Sequence, residues 1–141
     1  DIAVAIGGFV AEKMIFDDIT TGPSNDLQVA TAFARDMVTK YGMSDEIGPL
    51  AVGGGAGKAF WGVDGSGERD YSEEFLKKID TEVKKIVDTG MERAEQTLTK
   101  YRSALDSIAE ELFRVETLER DDFEKLLVAN GIVPKRKEDI A

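Results

Sequence analysis

The sequence predicts a mainly α-helical domain. Three observations carry that reading. Apolar residues recur at three- and four-residue spacing through five segments. Clusters of glycine, proline and polar residues separate the segments. Strand signals are confined to two short runs inside one glycine-rich stretch. At 141 residues the chain has the size of one ordinary domain, long enough to bury roughly two-thirds of its unfolded surface.

The first helix is expected over residues 2–16, with Ile2, Ile6, Phe9, Val10 and Met14 at helical spacing. Gly7 and Gly8 within it cost roughly 2 kcal/mol relative to alanine. Close approach by a neighbouring element, which a side chain would block, would compensate. Gly22, Pro23 and Ser24 then break the pattern.

The second helix is expected from about Asn25 to Tyr41. Asn25 and Gln28 suit the two positions of a capping box, with Ser24 as the other candidate cap. Ala30, Ala34, Met37 and Val38 fall on its apolar face, and Gly42 is a natural stop. Residues 43–70 hold eight of the 14 glycines. They read as a long irregular insertion in which Leu50–Val52 and Ala59–Val63 could form a short hairpin. Helical spacing resumes with Asp70 and Glu73 as a second capping box, and Leu76, Ile79, Val83, Ile86, Ala94 and Leu98 as one stripe that Gly90 crosses. Further helices are expected from about Arg102 to Val115 and from Arg120 to Asn130, stopped by Gly131 and Pro134. One domain over 1–133 and a disordered tail over 134–141 complete the expected organisation.

Composition excludes several functions. Lys plus Arg is 18 and Asp plus Glu 28, a net charge of −10, so a nucleic-acid partner is not expected, because that affinity rests on cations neutralising phosphates. Cysteine and histidine are both absent. Disulfides, thiolate sites, Ser-His-Asp triads and HExxH zinc sites therefore cannot be made within these residues. The most apolar run, Ile2 to Ala11, is about half of the 20 residues that a membrane span needs. Asp1, not methionine, stands first and the apolar pattern is already under way, so the chain is expected to be a fragment of a longer protein.

Few residues then offer chemistry. Gly53 to Lys58 reads GGGAGK, but a phosphate-binding loop would need glycine at Val52 and a hydroxyl at Ala59, and no nucleotide site is expected. Lys84, Lys85 and Lys135 to Lys137 read as solvated surface. Asp17, Asp18 and Asp26 flank the Thr-Gly-Pro-Ser turn, with Glu12 one helix earlier. Asp26 falls in the first turn of its helix, where the helix dipole favours an anion. It is either a dipole-stabilised or capping aspartate or a rigidly held metal ligand, and periodicity does not choose between them.

A resemblance does. Gly7-Gly8-Phe9-Val10-Ala11-Glu12 is similar to the GGRxAEE segment of the FtsH-type, membrane-anchored ATP-dependent zinc metalloproteases, peptidase family M41. Thr20-Thr21-Gly22-Pro23-Ser24-Asn25-Asp26-Leu27 resembles its TTGASNDL. Ala30-Thr31, Ala34-Arg35-Asp36-Met37-Val38, Tyr41-Gly42-Met43-Ser44 and Gly48-Pro49 resemble its AT, AR-x-MV, YGMS and GP motifs, in order and at the family's spacing. Ile79-Asp80 with Glu82-Val83, and Leu112 with Glu116-Thr117-Leu118, resemble its ID-x-EV and L-x-x-x-ETL segments. The similarity covers about residues 5–130.

The resemblance implies a helical peptidase fold and a zinc site. In the family two histidines of HEAGH bind zinc, and the glutamate between them is the general base. The third ligand is the SNDL aspartate, which is Asp26 here. Glu12 matches a family carboxylate and gains at most a supporting place around the ligands. Phe9 stands where the family has arginine, and Lys13 where it has a second glutamate. HEAGH itself, the AAA+ ATPase module with its ATP and magnesium, and the membrane segments are expected upstream, so no catalytic residue is assigned here. The chain alone is expected to be soluble and inert. The parent is expected to be a homo-hexamer that degrades unfolded or membrane proteins, with this part on the cytoplasmic, matrix or stromal side. The competing expectation is a non-catalytic assembly or protein-interaction module of a pseudo-protease that lacks HEAGH.

Overall fold

The computed structural model describes residues 2–17, 20–50, 52 and 71–134. The described residues are mainly α-helical, as the sequence predicts, and contain no strand. Their helices are α1 (Ile2–Ala5), α2 (Gly7–Phe16), α3 (Ser24–Thr39), α4 (Glu73–Lys100), α5 (Arg102–Val115) and α6 (Arg120–Ala129). Ala59–Val63, Asp70 and residues 135–141 lie outside the described residues, as does most of the glycine-rich insertion. The chain divides into two compact units, Asp1–Glu95 and Gln96–Ala141. Among the described residues, no helix is long and apolar enough to cross a membrane.

In the first unit, α1 and α2 pack on α3. Ile2, Ile6, Phe9 and Val10 are buried, as are Ala30, Ala34 and Val38, which recur every fourth residue along α3. The two alanines keep that face of α3 shallow, so that larger side chains can lie on it. From α4, Ile79, Val83 and Ala94 join the core. Gly90 brings α4 close to α1: a Cβ there would stand 2.6 Å from Ile2 Cγ2.

The structure departs from the expected elements in three places. The single helix expected over 2–16 bends at Ile6, whose φ of −94° and ψ of 0° separate α1 from α2. Hydrogen bonds to Ile2 O (3.0 Å) and from Val10 N–H (3.1 Å) bridge the bend. It falls one residue before Gly7-Gly8, the weakest helix formers of the segment. The Asn25–Gln28 capping box is not formed. Pro23 occupies the cap position with φ −81°, and no side-chain cap bond is made. Its ring-fixed φ supplies the helical start that a polar cap would otherwise support. At α4 the cap is Ser72, whose Oγ accepts the Phe75 N–H at 3.2 Å.

Gly42 behaves as expected. It takes φ +61°, a left-handed conformation that glycine adopts without strain. A Cβ there would lie 2.9 Å from Pro49 Cα. The turn delivers the buried Ser44 and Ile47 to the core.

In the second unit, α5 and α6 pack together across a short link that begins at Glu116, left-handed at φ 62°. Among its described residues Ala104 is the buried apolar one, whereas Phe113 is 94 % exposed. Charged pairs at three- and four-residue spacing line its surface, such as Arg102–Asp106 and Lys125–Asp122. Exposed pairs of this kind contribute little to stability, because solvent screens them.

Candidate metal centre

Asp26 lies in the first turn of α3. The Leu27 N–H donates to Pro23 O at 3.2 Å, so α3 is already wound where Asp26 begins. The buried Pro23 anchors this end of the helix.

The Asp26 carboxylate reaches back over α2. A Cβ on Gly8 would stand 2.6 Å from Asp26 Oδ2 and 3.8 Å from its Cγ. The expectation that close approach compensates for the glycine pair thus holds at Gly8. It does not hold at Gly7, where a Cβ would meet nothing within 4 Å. Asp26 is half-buried. Among the described residues, no group donates a hydrogen bond to its carboxylate. It therefore does not cap its own helix, and of the local explanations only the favourable field of the helix N-terminus remains.

Glu12, half-buried on α2, takes a different place. Its Oε1 accepts the Thr20 N–H at 3.0 Å. Thr20 Oγ1 accepts the Gly22 N–H at 3.1 Å, and the Ser24 N–H donates to Thr21 O at 3.2 Å. These bonds chain the turn together, so Glu12 fixes the backbone leading into α3. The structure thus joins Glu12 and Asp26 through the turn between them.

Asp17 is exposed at the end of α2 with φ 50°, and Asp18 lies outside the described residues. Among the described residues there is no group of three His, Cys, Asp or Glu side chains that could hold a metal ion. A half-buried carboxylate without a donor suits one ligand position of a divalent cation. Three further ligands would have to come from elsewhere for zinc. The chain has no histidine, so any imidazole ligand lies outside these 141 residues. Gly53 to Lys58 also lie outside the described residues.

Sequence reasoning passed over one buried polar pair elsewhere in the first unit. Glu82 is 7 % exposed and Ser44 4 %. The Ser44 hydroxyl donates to Glu82 Oε2 at 2.7 Å, and Ser44 Oγ accepts the Ile47 N–H at 3.2 Å. The Ser44 hydroxyl holds the Glu82 carboxyl below its ordinary range, against the opposing effect of burial and with help from Lys85. A signal was available: Glu82 lies three residues after Ile79, on the stripe that faces the core.

Comparison with known proteins agrees with the motifs. The family model described as peptidase family M41 matches residues 1–126. The chain is 45% identical over 132 residues to the ATP-dependent zinc metalloprotease FtsH 3 of Synechocystis, covering 92% of this chain and 21% of that protein. It is 45% identical to the FtsH of Thermotoga maritima, over 89% of this chain and 21% of the relative. It is 43% identical to the FtsH of Bacillus subtilis, over 93% and 21%. The chain thus spans about a fifth of the length of the curated relatives it matches.

Proposed function

Because the chain belongs to peptidase family M41, we propose that it is the C-terminal part of the peptidase domain of an ATP-dependent zinc metalloprotease, and that Asp26 is its ligand to the zinc ion. The observation that carries this reading is the Asp26 carboxylate itself. It is half-buried, fixed on a helical first turn, and without a donor among the described residues. The relatives named above are zinc metalloproteases by name.

Zinc, when bound, would activate a water for attack on a peptide carbonyl. The part played by this chain's residues is positional. Asp26 presents one anionic oxygen from a helix that Pro23 starts and Glu12 steadies through Thr20. A ligand must be held to within a few tenths of an ångström, and a wound first turn on a buried proline suits that demand. The two histidines and the general-base glutamate belong to a segment outside this sequence, so the chain alone is inert. The same reading carries an ATPase module with ATP and magnesium, a membrane anchor and a ring of six subunits in the whole protein, which acts on protein substrates.

The test is Asp26→Ala in the full-length protein. The expected result is loss of casein cleavage with ATP hydrolysis kept. Retained cleavage would move the third ligand to another residue. A full-length protein without HEAGH would favour the non-catalytic assembly module.

A further inference from the structure

We propose that Gly8 is a positioning residue for the Asp26 carboxylate: its missing side chain is the space in which the ligand oxygen sits. The proposal rests on the reading of Asp26 as a metal ligand and adds what holds that ligand in place.

Gly8 is helical and exposed, and no positive φ requires glycine there. On propensity alone, alanine would be the better helix former at this position. What alanine would meet is very specific. Among the described residues, and apart from the glycine's chain neighbours and the backbone of α2 itself, only Asp26 Oδ2 at 2.6 Å and Asp26 Cγ at 3.8 Å stand within 4 Å of the Cβ position. Its neighbour Gly7 sits on the same helix and would meet nothing. One of the two glycines is therefore matched to a single carboxylate, and the other is not.

The contact also has no substitute. No described residue donates a hydrogen bond to Asp26, so the backbone surface of α2 is the wall against which the carboxylate rests. Contacts at 3.4–4 Å are ordinary for a Cβ. A methyl group would therefore displace the oxygen by most of an ångström, beyond the roughly 0.5 Å that a ligand constellation tolerates. The carboxylate is the free end of a side chain and can swing aside. Alanine at position 8 should thus leave the fold standing and move the ligand.

The experiment compares Gly7→Ala, Gly8→Ala and Asp26→Ala in the full-length protein. Zinc affinity is measured by competition with a chromogenic chelator, and the absorption spectrum is recorded with Co²⁺ in place of zinc. Gly8→Ala should weaken zinc binding by about 10- to 100-fold, the usual effect of losing a ligand's support, and should shift the Co²⁺ bands. Gly7→Ala should change neither. Wild-type affinity and an unshifted spectrum in Gly8→Ala, with zinc lost in Asp26→Ala, would overturn the positioning role alone. Zinc retained by Asp26→Ala would overturn the ligand reading and this proposal with it. A thermal-unfolding cycle on the 141-residue chain guards against a folding artefact. Gly8→Ala should be more favourable on the Asp26→Ala background than alone, and equal effects on both backgrounds would show that the methyl does not meet the carboxylate.

Discussion

The Ser44 hydroxyl donates a 2.7 Å hydrogen bond to Glu82 Oε2, between two buried residues 38 positions apart. It ties the segment after α3 to the middle of α4. Ser44 simultaneously accepts the Ile47 N–H, and Glu82 Oε1 accepts from Lys85 at 3.3 Å. A buried carboxylate is tolerated only when it is satisfied in this way.

This pair predicts a pH dependence with a definite sign. The Glu82 carboxyl is held below its ordinary value of 4.5, chiefly by Ser44. A carboxyl depressed in the folded state stabilises fully above its unfolded value, and that contribution fades as pH falls through the folded value. Wild type should therefore unfold at higher temperature than Glu82→Gln near neutral pH, and the gap should close at acid pH below the ordinary carboxylate range. Calorimetry across that range checks this, and a gap independent of pH would count against the pair. Ser44→Ala should lower the unfolding temperature and return the Glu82 carboxyl toward its ordinary value, readable by NMR titration.

Gly90 sets two effects against each other. Alanine in a helix interior gains about 1 kcal/mol over glycine. Here its Cβ would stand 2.6 Å from Ile2 Cγ2, and overpacking of this kind costs about 1–3 kcal/mol. The clash should win, so Gly90→Ala should lower the unfolding temperature by roughly 3 °C. On an Ile2→Ala background the same change should become stabilising. A stabilising Gly90→Ala in the wild-type background would show that α1 yields to α4.

Glu12 separates charge from hydrogen bonding. Glu12→Gln keeps an acceptor for the Thr20 N–H, whereas Glu12→Ala leaves that donor to water. One such bond is worth about 1 kcal/mol. Glu12→Ala should therefore unfold a few degrees earlier, and Glu12→Gln close to wild type. In the full-length protein Glu12→Ala should weaken zinc binding and Glu12→Gln should restore most of it. Equal loss in both would make the charge, not the turn, the role of Glu12.

The helices were legible because their apolar spacing is strong. Ala30, Ala34 and Val38 lie on the face expected of them, and Gly42 takes the left-handed turn its position suggests, although α3 ends at Thr39, two residues before the expected Tyr41. The starts were less legible. Pro23 begins α3 in place of Asn25, because cap propensity does not reveal which backbone already has a helical φ, and Ser72 begins α4 in place of Asp70 with a side-chain cap of the same chemistry two residues later. The bend at Ile6 was hidden for a similar reason, since its hydrogen bonds continue across it. At the candidate site, periodicity placed Asp26 in a first turn but offered capping as readily as ligation. The resemblance chose between them, and the geometry removed the cap. The Gly8 contact is a tertiary distance between two helices, and no local pattern encodes it. Glu82 was passed over because a charged residue on an apolar stripe reads as a surface group until its partner, Ser44, is seen.

The most direct measurement is the metal content of the full-length protein with Asp26 and with Asp26→Ala, by elemental analysis of the purified, folded samples. The account predicts about one zinc per subunit in the first, the stoichiometry of a single tetrahedral site, and a small residue of that in the second, with ATP hydrolysis unchanged. Equal zinc in the two proteins would contradict it and leave Asp26 as an aspartate placed by its helix dipole.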